Sequence, residues 1–284
     1  MEAAAVNPFD WKIIDGILSP GRPHVFPLVV GVDGAGVVDA VGERVRRFHL
    51  GDRVFGQFLH DPVGVGTYAE VSTVPEGIGV ASTPPQLDSL RAAALPTAGM
   101  TALLAVETID PKVGSRVLVV GASGGVGSFA LQLLHVRGVH VTAAVRGGDL
   151  DAVRRGGADE VIDTTSQELS AVAAVSHPDG FDALLDLASD RVRFAEVARR
   201  VRRGGVAATT TYSADVEGLG MMGIRGVNLD LQPNSALLSR LADEVVAGRV
   251  EVPAITRISL ADAPGALAES RAGRLRGKVV IGLP

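Results

Sequence analysis

Hydrophobic positions along the chain fall into three regimes. Between residues 25 and 80 they come as short β-branched runs broken by glycine and proline: VFPLVVGVDGAGVVDAVG, GDRVFGQF and GTYAEVSTV. Such runs between turn residues predict the strands of a compact barrel or sandwich. Gly34, Gly36 and Gly42 punctuate the first run, where bulges or tight corners call for them. After Pro84-Pro85 the pattern turns helical, and DSLRAAALPTAGMTALLAVETI predicts two helices interrupted near Pro96. From Arg116 onward, apolar runs alternate with helical periodicity. Strands RVLVV, HVTAAV, EVID, FDALLDL and GVAATTT are separated by helices SFALQLLHVRG, LDAVRRGGA, SAVAAVS and FAEVARRV. Continuous apolar strands alternating with helices predict an α/β doubly wound parallel sheet covered on both faces. The last stretch is mixed: helix SALLSRLADEVVAG, strand PAITRIS, helix ADAPGALAESRAG and strand KVVIGL.

The organisation is therefore a β-rich module (residues 1–96), a doubly wound module (97–235) and a return segment (236–284) that completes one of the two. At the start, MEAAAV reads as the end of a strand and NPFDWK as a loop that the strand positions.

Composition narrows the chemistry. A net charge of -5 argues against nucleic acid, whose binders carry a basic stripe. The chain has no cysteine, which removes disulfides, thiolate nucleophiles and cysteine-built zinc sites, and fits a reducing cytoplasm. No apolar run is long enough to cross a bilayer, and Glu2 without a basic n-region is unlike a signal peptide. The expected partners are small molecules, with neither nucleic acid nor membrane. The six histidines, at 24, 49, 60, 135, 140 and 177, show no tight ligand spacing, so no metal site is expected.

The strongest chemical signal is RVLVVGASGGVGSFALQLL. A buried strand runs into Gly121-Ala122-Ser123-Gly124-Gly125-Val126-Gly127 and then a helix closed by Gly138. In a dinucleotide site, Gly124 lets the backbone approach a pyrophosphate and Gly127 lets the helix pack close to the strand. The helix N-terminus then offers free N–H groups and partial positive charge. Ser123, Gly124, Gly125 and Val126 are the expected phosphate contacts. The G-x-G-x-x-G pattern is incomplete, with Ala122 in the first glycine position, and a plain βα turn is the alternative. After the next strand stands Arg146, with no carboxylate until Asp149. A guanidinium pairs with a 2′-phosphate where an NAD site places an acid, so NADPH is the expected cofactor. The alternative is a solvated loop arginine.

These motifs, with NPFDWK upstream, resemble the medium-chain dehydrogenase/reductase superfamily. The similarity is to its zinc-independent quinone oxidoreductases (zeta-crystallin-like) and enoyl reductases. FPLVVGVDGAGVVDAVGERVRRFHLGDRVFG, GTYAEVSTVP, AAALPTAGMTALLAV, GADEVID and RGKVVIG carry it through nearly the whole chain. The resemblance implies a GroES-like catalytic domain, a Rossmann domain, NADPH in a cleft between them, return of residues 236–284 to the catalytic domain, and often a homodimer. Where zinc-dependent members carry His-Glu, this chain has Val32-Asp33 between Gly31 and Gly34.

By the same resemblance, Asn7 and Lys12 are the polar positions reaching the nicotinamide ribose or a substrate carbonyl, and Asp10 orients Lys12. Thr101 faces the nicotinamide, and Lys278 lies near the cofactor. Tyr212 follows a strand at the sheet edge that presents ligands. Each has a plainer alternative: Asp10 and Lys12 as an exposed pair, Asn7 as a turn element, Thr101 bonding within its helix, Lys278 as a solvated charge. A short-chain dehydrogenase is excluded, because neither Tyr68 nor Tyr212 begins Tyr-x-x-x-Lys. The expected reaction is hydride transfer from NADPH to a quinone or an α,β-unsaturated carbonyl. Relatives usually carry further strands before NPFDWK, so the catalytic domain is expected to be N-terminally incomplete, with an exposed apolar sheet edge. That makes a non-catalytic or impaired NADPH-binding protein the rival reading.

Overall fold

A computed structural model describes residues 1–148 and 150–284, so Asp149 lies outside the described residues. The chain divides into two compact units, Met1–Met100 with Gln232–Pro284, and Thr101–Leu231. In chain order the first part holds β1 (Ala3–Val6), α1 (Pro8–Ile14), β2 (His24–Val29), β3 (Asp33–Val37), β4 (Arg53–Gln57), β5 (Val63–Val65), β6 (Val80–Ser82), α2 (Ser89–Ala93) and α3 (Pro96–Ile109). The middle holds β7 (Arg116–Val120), α4 (Gly125–Val136), β8 (His140–Val145), α5 (Leu150–Arg155), β9 (Glu160–Asp163), α6 (Leu169–Ser176), β10 (Phe181–Asp186), α7 (Arg191–Ala198), β11 (Val201–Thr209), α8 (Val216–Met221) and β12 (Arg225–Asn228). The return segment adds α9 (Ser235–Val246), β13 (Ile255–Ile258), α10 (Ala263–Arg271) and β14 (Lys278–Gly282).

In the first unit one sheet runs β13-β14-β1-β3-β4-β6. β1 pairs antiparallel with β14 on one side and with β3 on the other. The exposed edge expected at the start of the chain is therefore not found on β1. The return segment supplies β14, and the sheet ends on β13 and β6. Apolar exposure falls instead on β2, which forms a two-stranded sheet with β5 and leaves Phe26 76% exposed.

Two local expectations fail here for identifiable reasons. NPFDWK is helical rather than a loop. Asn7 has extended backbone, Pro8 starts the helix, and the Asn7 N–H donates to Asp10 Oδ2 at 2.7 Å, one half of a capping box. GTYAEVSTV is not a strand. Thr67 is fully buried while its neighbour Tyr68 bonds to buried Asp10, so consecutive side chains turn inward, which alternation forbids.

The second unit is a six-stranded parallel sheet in the order β12-β11-β10-β7-β8-β9, the doubly wound arrangement expected from the apolar alternation. Leu118, Phe181, Leu184, Phe194 and Ala207 form part of a core between this sheet and its helices. The sequence reading left α8 and β12 unassigned. α8 carries two glycines in six residues and relies on Asp215, whose carboxylate accepts the Gly218 N–H at 3.0 Å.

Candidate functional site

The first unit buries a connected set of charges. β1 delivers Asn7 at its end, β3 opens with Asp33, α1 turns Asp10 inward and β14 opens with Lys278. Exposure is 2% for Asn7, 3% for Lys278 and 0% for Asp10 and Asp33. Lys278 Nζ donates to Asn7 Oδ1 at 2.8 Å, and Asn7 Nδ2 donates to Asp33 Oδ2 at 2.9 Å. Asp33 also accepts from the Thr97 backbone N–H at 3.0 Å and from Thr97 Oγ1 at 2.7 Å. Gln57 Nε2 donates to Thr97 Oγ1 at 2.8 Å, while Gln57 Oε1 is buried without a partner. Beside this chain, Asp10 accepts from the Asn7 N–H, the Val32 N–H at 3.0 Å and Tyr68 Oη at 2.9 Å.

Two carboxyl groups and one amine thus share a buried interior. Burial pushes the Asp10 carboxyl up to about 7, helped by the negative neighbour Asp33 and opposed by its three donors. Burial also raises Asp33, while Lys278 and the Thr97 and Asn7 donors pull it back. Burial lowers Lys278, against the attraction of Asp33 and Asp10. Burial thus moves all three groups toward their neutral forms while their mutual attraction and the hydrogen bonds through Asn7 oppose it, and Asp10 is the group that takes a proton near neutrality.

Several expectations are revised by these contacts. Asp10 does not orient Lys12: its bonds come from Asn7, Val32 and Tyr68, and Lys12 Nζ stands 5.7 Å from the Trp11 ring centroid. The picture of Asp10 and Lys12 as an exposed pair fails with the burial of Asp10, and Lys278 is no solvated surface charge. Asn7 caps a helix with its backbone and bridges two charges with its amide. Asp33, Thr97, Gln57 and Tyr68 were missed as members of the cluster. The available signal was Asp33 itself, a lone charge inside LVVGVDGAGVV.

In the second unit the glycine turn leaves the C-terminal end of β7 and opens α4. Gly121 has φ of +79°, and Gly124 is the N-cap, with no side chain capping the helix. A Cβ on Gly127 would stand 2.5 Å from Gly121 O and 2.6 Å from Ala122 Cα, so helix and turn touch backbone to backbone. Ser123 to Val126 are half-exposed, and the first turn of α4 carries no acidic residue. A turn of half-exposed residues opening a helix with no side-chain cap, at the carboxyl edge of a parallel sheet, fits a dinucleotide pyrophosphate.

The other predicted contacts lie on neighbouring elements of this unit. Arg146 is exposed just after β8. Tyr212 follows β11 with φ of +57°, is 60% exposed, and donates from Oη to Asp230 Oδ1 at 2.8 Å. Burial first, then Asp230, pushes its phenol up to about 12. Thr101 is 9% exposed on α3.

Comparison with known proteins gives consistent neighbours. Residues 1–85 match the alcohol dehydrogenase GroES-like domain, and residues 156–281 match the zinc-binding dehydrogenase model. The chloroplast envelope quinone oxidoreductase homolog of Arabidopsis thaliana is 32% identical, over 99% of this chain and 88% of that protein. The 2-methylene-furan-3-one reductase of Solanum lycopersicum is 33% identical, over 98% of this chain and 69% of that protein. Among solved structures, the quinone oxidoreductase from Coxiella burnetii superposes with a TM-score of 0.88 at 27% identity, covering 100% of this chain and 89% of that one. The chain lacks cysteine, and no group of three or more His, Asp or Glu among the described residues could hold a metal ion.

Proposed function

The chain belongs to the quinone oxidoreductases of the medium-chain dehydrogenase/reductase superfamily, and from that premise we propose that it transfers hydride from NADPH to a quinone or an α,β-unsaturated carbonyl without zinc. The observation that carries the proposal is the glycine turn, whose half-exposed residues, side-chain-free helix start and glycine-only backbone contact suit a pyrophosphate. Ser123, Gly124, Gly125 and Val126 would hold the phosphates and Arg146 the 2′-phosphate. Thr101, Tyr212 and Lys278 are the further proposed contacts.

The nicotinamide supplies the hydride when bound, and the protein's work is position and electrostatics. Negative charge develops on the substrate oxygen, and the Lys12 ammonium on α1 is the group proposed to stabilise it. Asn7 and Asp10 fix the start of α1 through the helix cap and through the bonds to Asp33, Val32 and Tyr68. Thr97 and Asn7 satisfy the buried Asp33 carboxyl by hydrogen bonds, and Lys278 opposes the effect of burial on it. A cytoplasmic location and a homodimer complete the proposal, the first supported by the cysteine-free sequence and the second by family resemblance.

The test is to follow the label from [4-²H]NADPH carrying deuterium on the transferred face into an alkenal. The saturated product should carry deuterium at its β-carbon, and product without label would refute hydride transfer. A second reading, dinucleotide binding without turnover, is favoured by the closed bonding of Asn7, whose amide serves Lys278 and Asp33. Tight NADPH binding with no turnover of any quinone or enone would select it.

A further inference from the structure

β8 ends at Val145 and runs into Arg146-Gly147-Gly148, where the two glycines have φ of 65° and 96°. A double glycine gives such a loop little conformational preference of its own. The end of β9, in register with it at Val145 and Asp163, supplies the missing constraint. The backbone N–H and Oγ1 of Thr164 both donate to Val145 O, at 2.8 and 3.0 Å. The Gly147 N–H donates to Asp163 Oδ1 at 3.0 Å, and the same oxygen accepts the Thr165 N–H at 2.9 Å and Thr165 Oγ1 at 2.7 Å. These donors, Thr165 foremost, hold the Asp163 carboxyl below its usual range, so it stands as an ionised acceptor. Gly147 directly follows exposed Arg146, and its bond to Asp163 fixes the backbone that carries the guanidinium.

We propose that Asp163 is a positioning residue that sets the preference for a dinucleotide bearing a 2′-phosphate, by clamping the loop that presents Arg146. The inference rests on the reading of the glycine turn as an NADPH site. NADPH and NADH differ only in that phosphate. A change that displaces Arg146 alone therefore weakens NADPH and spares NADH, whereas general damage to the fold weakens both. Asp163 also carries charge, and a carboxylate acting simply by repelling the phosphate would produce the opposite sign.

The experiment measures dissociation constants of the full chain for NADPH and NADH by nicotinamide fluorescence at one ionic strength, with denaturation midpoints of each variant alongside. Asp163→Ala should raise the NADPH constant about tenfold while the NADH constant stays within about threefold. Asp163→Asn keeps an oxygen for Gly147 and should return the NADPH constant to within about threefold of the parent. Should Asp163→Ala not fold, Thr164→Val, which loses one bond to Val145 O, should still shift the ratio the same way. An unchanged NADPH-to-NADH ratio in the folded variants, or a ratio moved toward NADPH, overturns the proposal. A parent chain that binds neither dinucleotide overturns the cofactor reading itself, an outcome distinct from normal NADPH preference that survives Asp163→Ala.

Discussion

Replacing Lys278 with methionine removes the basic group of the buried cluster while keeping much of the side-chain volume. Lys278 is 3% exposed, and its Nζ is 2.8 Å from Asn7 Oδ1, through which it reaches Asp33. The substitution removes the Lys278 attraction that opposes the effect of burial on Asp33, and strips Asn7 Oδ1 of its donor. Losing one partner of a buried pair costs about 3–5 kcal/mol. The lost hydrogen bond is part of that figure and does not add to it. Against a total stability of about 5–15 kcal/mol, the first unit should become marginal. Trp11 is the sole tryptophan and lies in that unit, so urea unfolding followed by its fluorescence at pH 7.5 reads the effect locally. Adding Asp33→Asn to Lys278→Met should recover about 2 kcal/mol, because the buried carboxyl left without its cationic neighbour is gone. A Lys278→Met chain within about 1 kcal/mol of the parent, or a double variant as unstable as the sum of the singles, would refute the charge pairing.

Asp10 predicts a pH dependence. Its folded value near 7 lies above the ordinary 3.8, so its contribution to stability is full below about pH 4 and is lost as pH rises toward 7. Asp10→Asn should therefore flatten the stability profile across that window by up to about 4 kcal/mol in urea titrations, and an unchanged slope would count against a protonated Asp10. Gly127→Ala places a Cβ 2.5 Å from Gly121 O, and the second unit should lose about 1–3 kcal/mol by circular dichroism, with NADPH binding impaired. Arg146→Ala should weaken NADPH about tenfold and leave NADH nearly unchanged in equilibrium titration, since the guanidinium's proposed partner is absent from NADH.

The doubly wound sheet was legible because its strands are apolar on both faces and its helices repeat at 3.6 residues, so β7 and β8 fall on RVLVV and HVTAAV as read. α8 and β12 were not legible, because VEGLGM lacks propensity and RGVN is too short to show alternation. The glycine turn announced itself through local contacts, with Gly127 meeting residues five and six positions earlier. The buried charges did not. Lys278 and Asn7 are 271 positions apart, and only the pairing of β14 with β1 brings them together. Asp10 looked like the natural partner of Lys12 two positions on, but residues two apart do not share a helix face. Its actual donors include Tyr68, 58 positions away.

The most direct measurement of the central claim is NADPH oxidation at 340 nm by the chelator-dialysed chain, with 9,10-phenanthrenequinone and an alkenal as acceptors and NADH in parallel. Hydride transfer without zinc predicts loss of absorbance with at least one acceptor, faster with NADPH than with NADH and unaffected by the chelator. Absorbance unchanged with both acceptors, or activity that returns only when zinc is added, would contradict it.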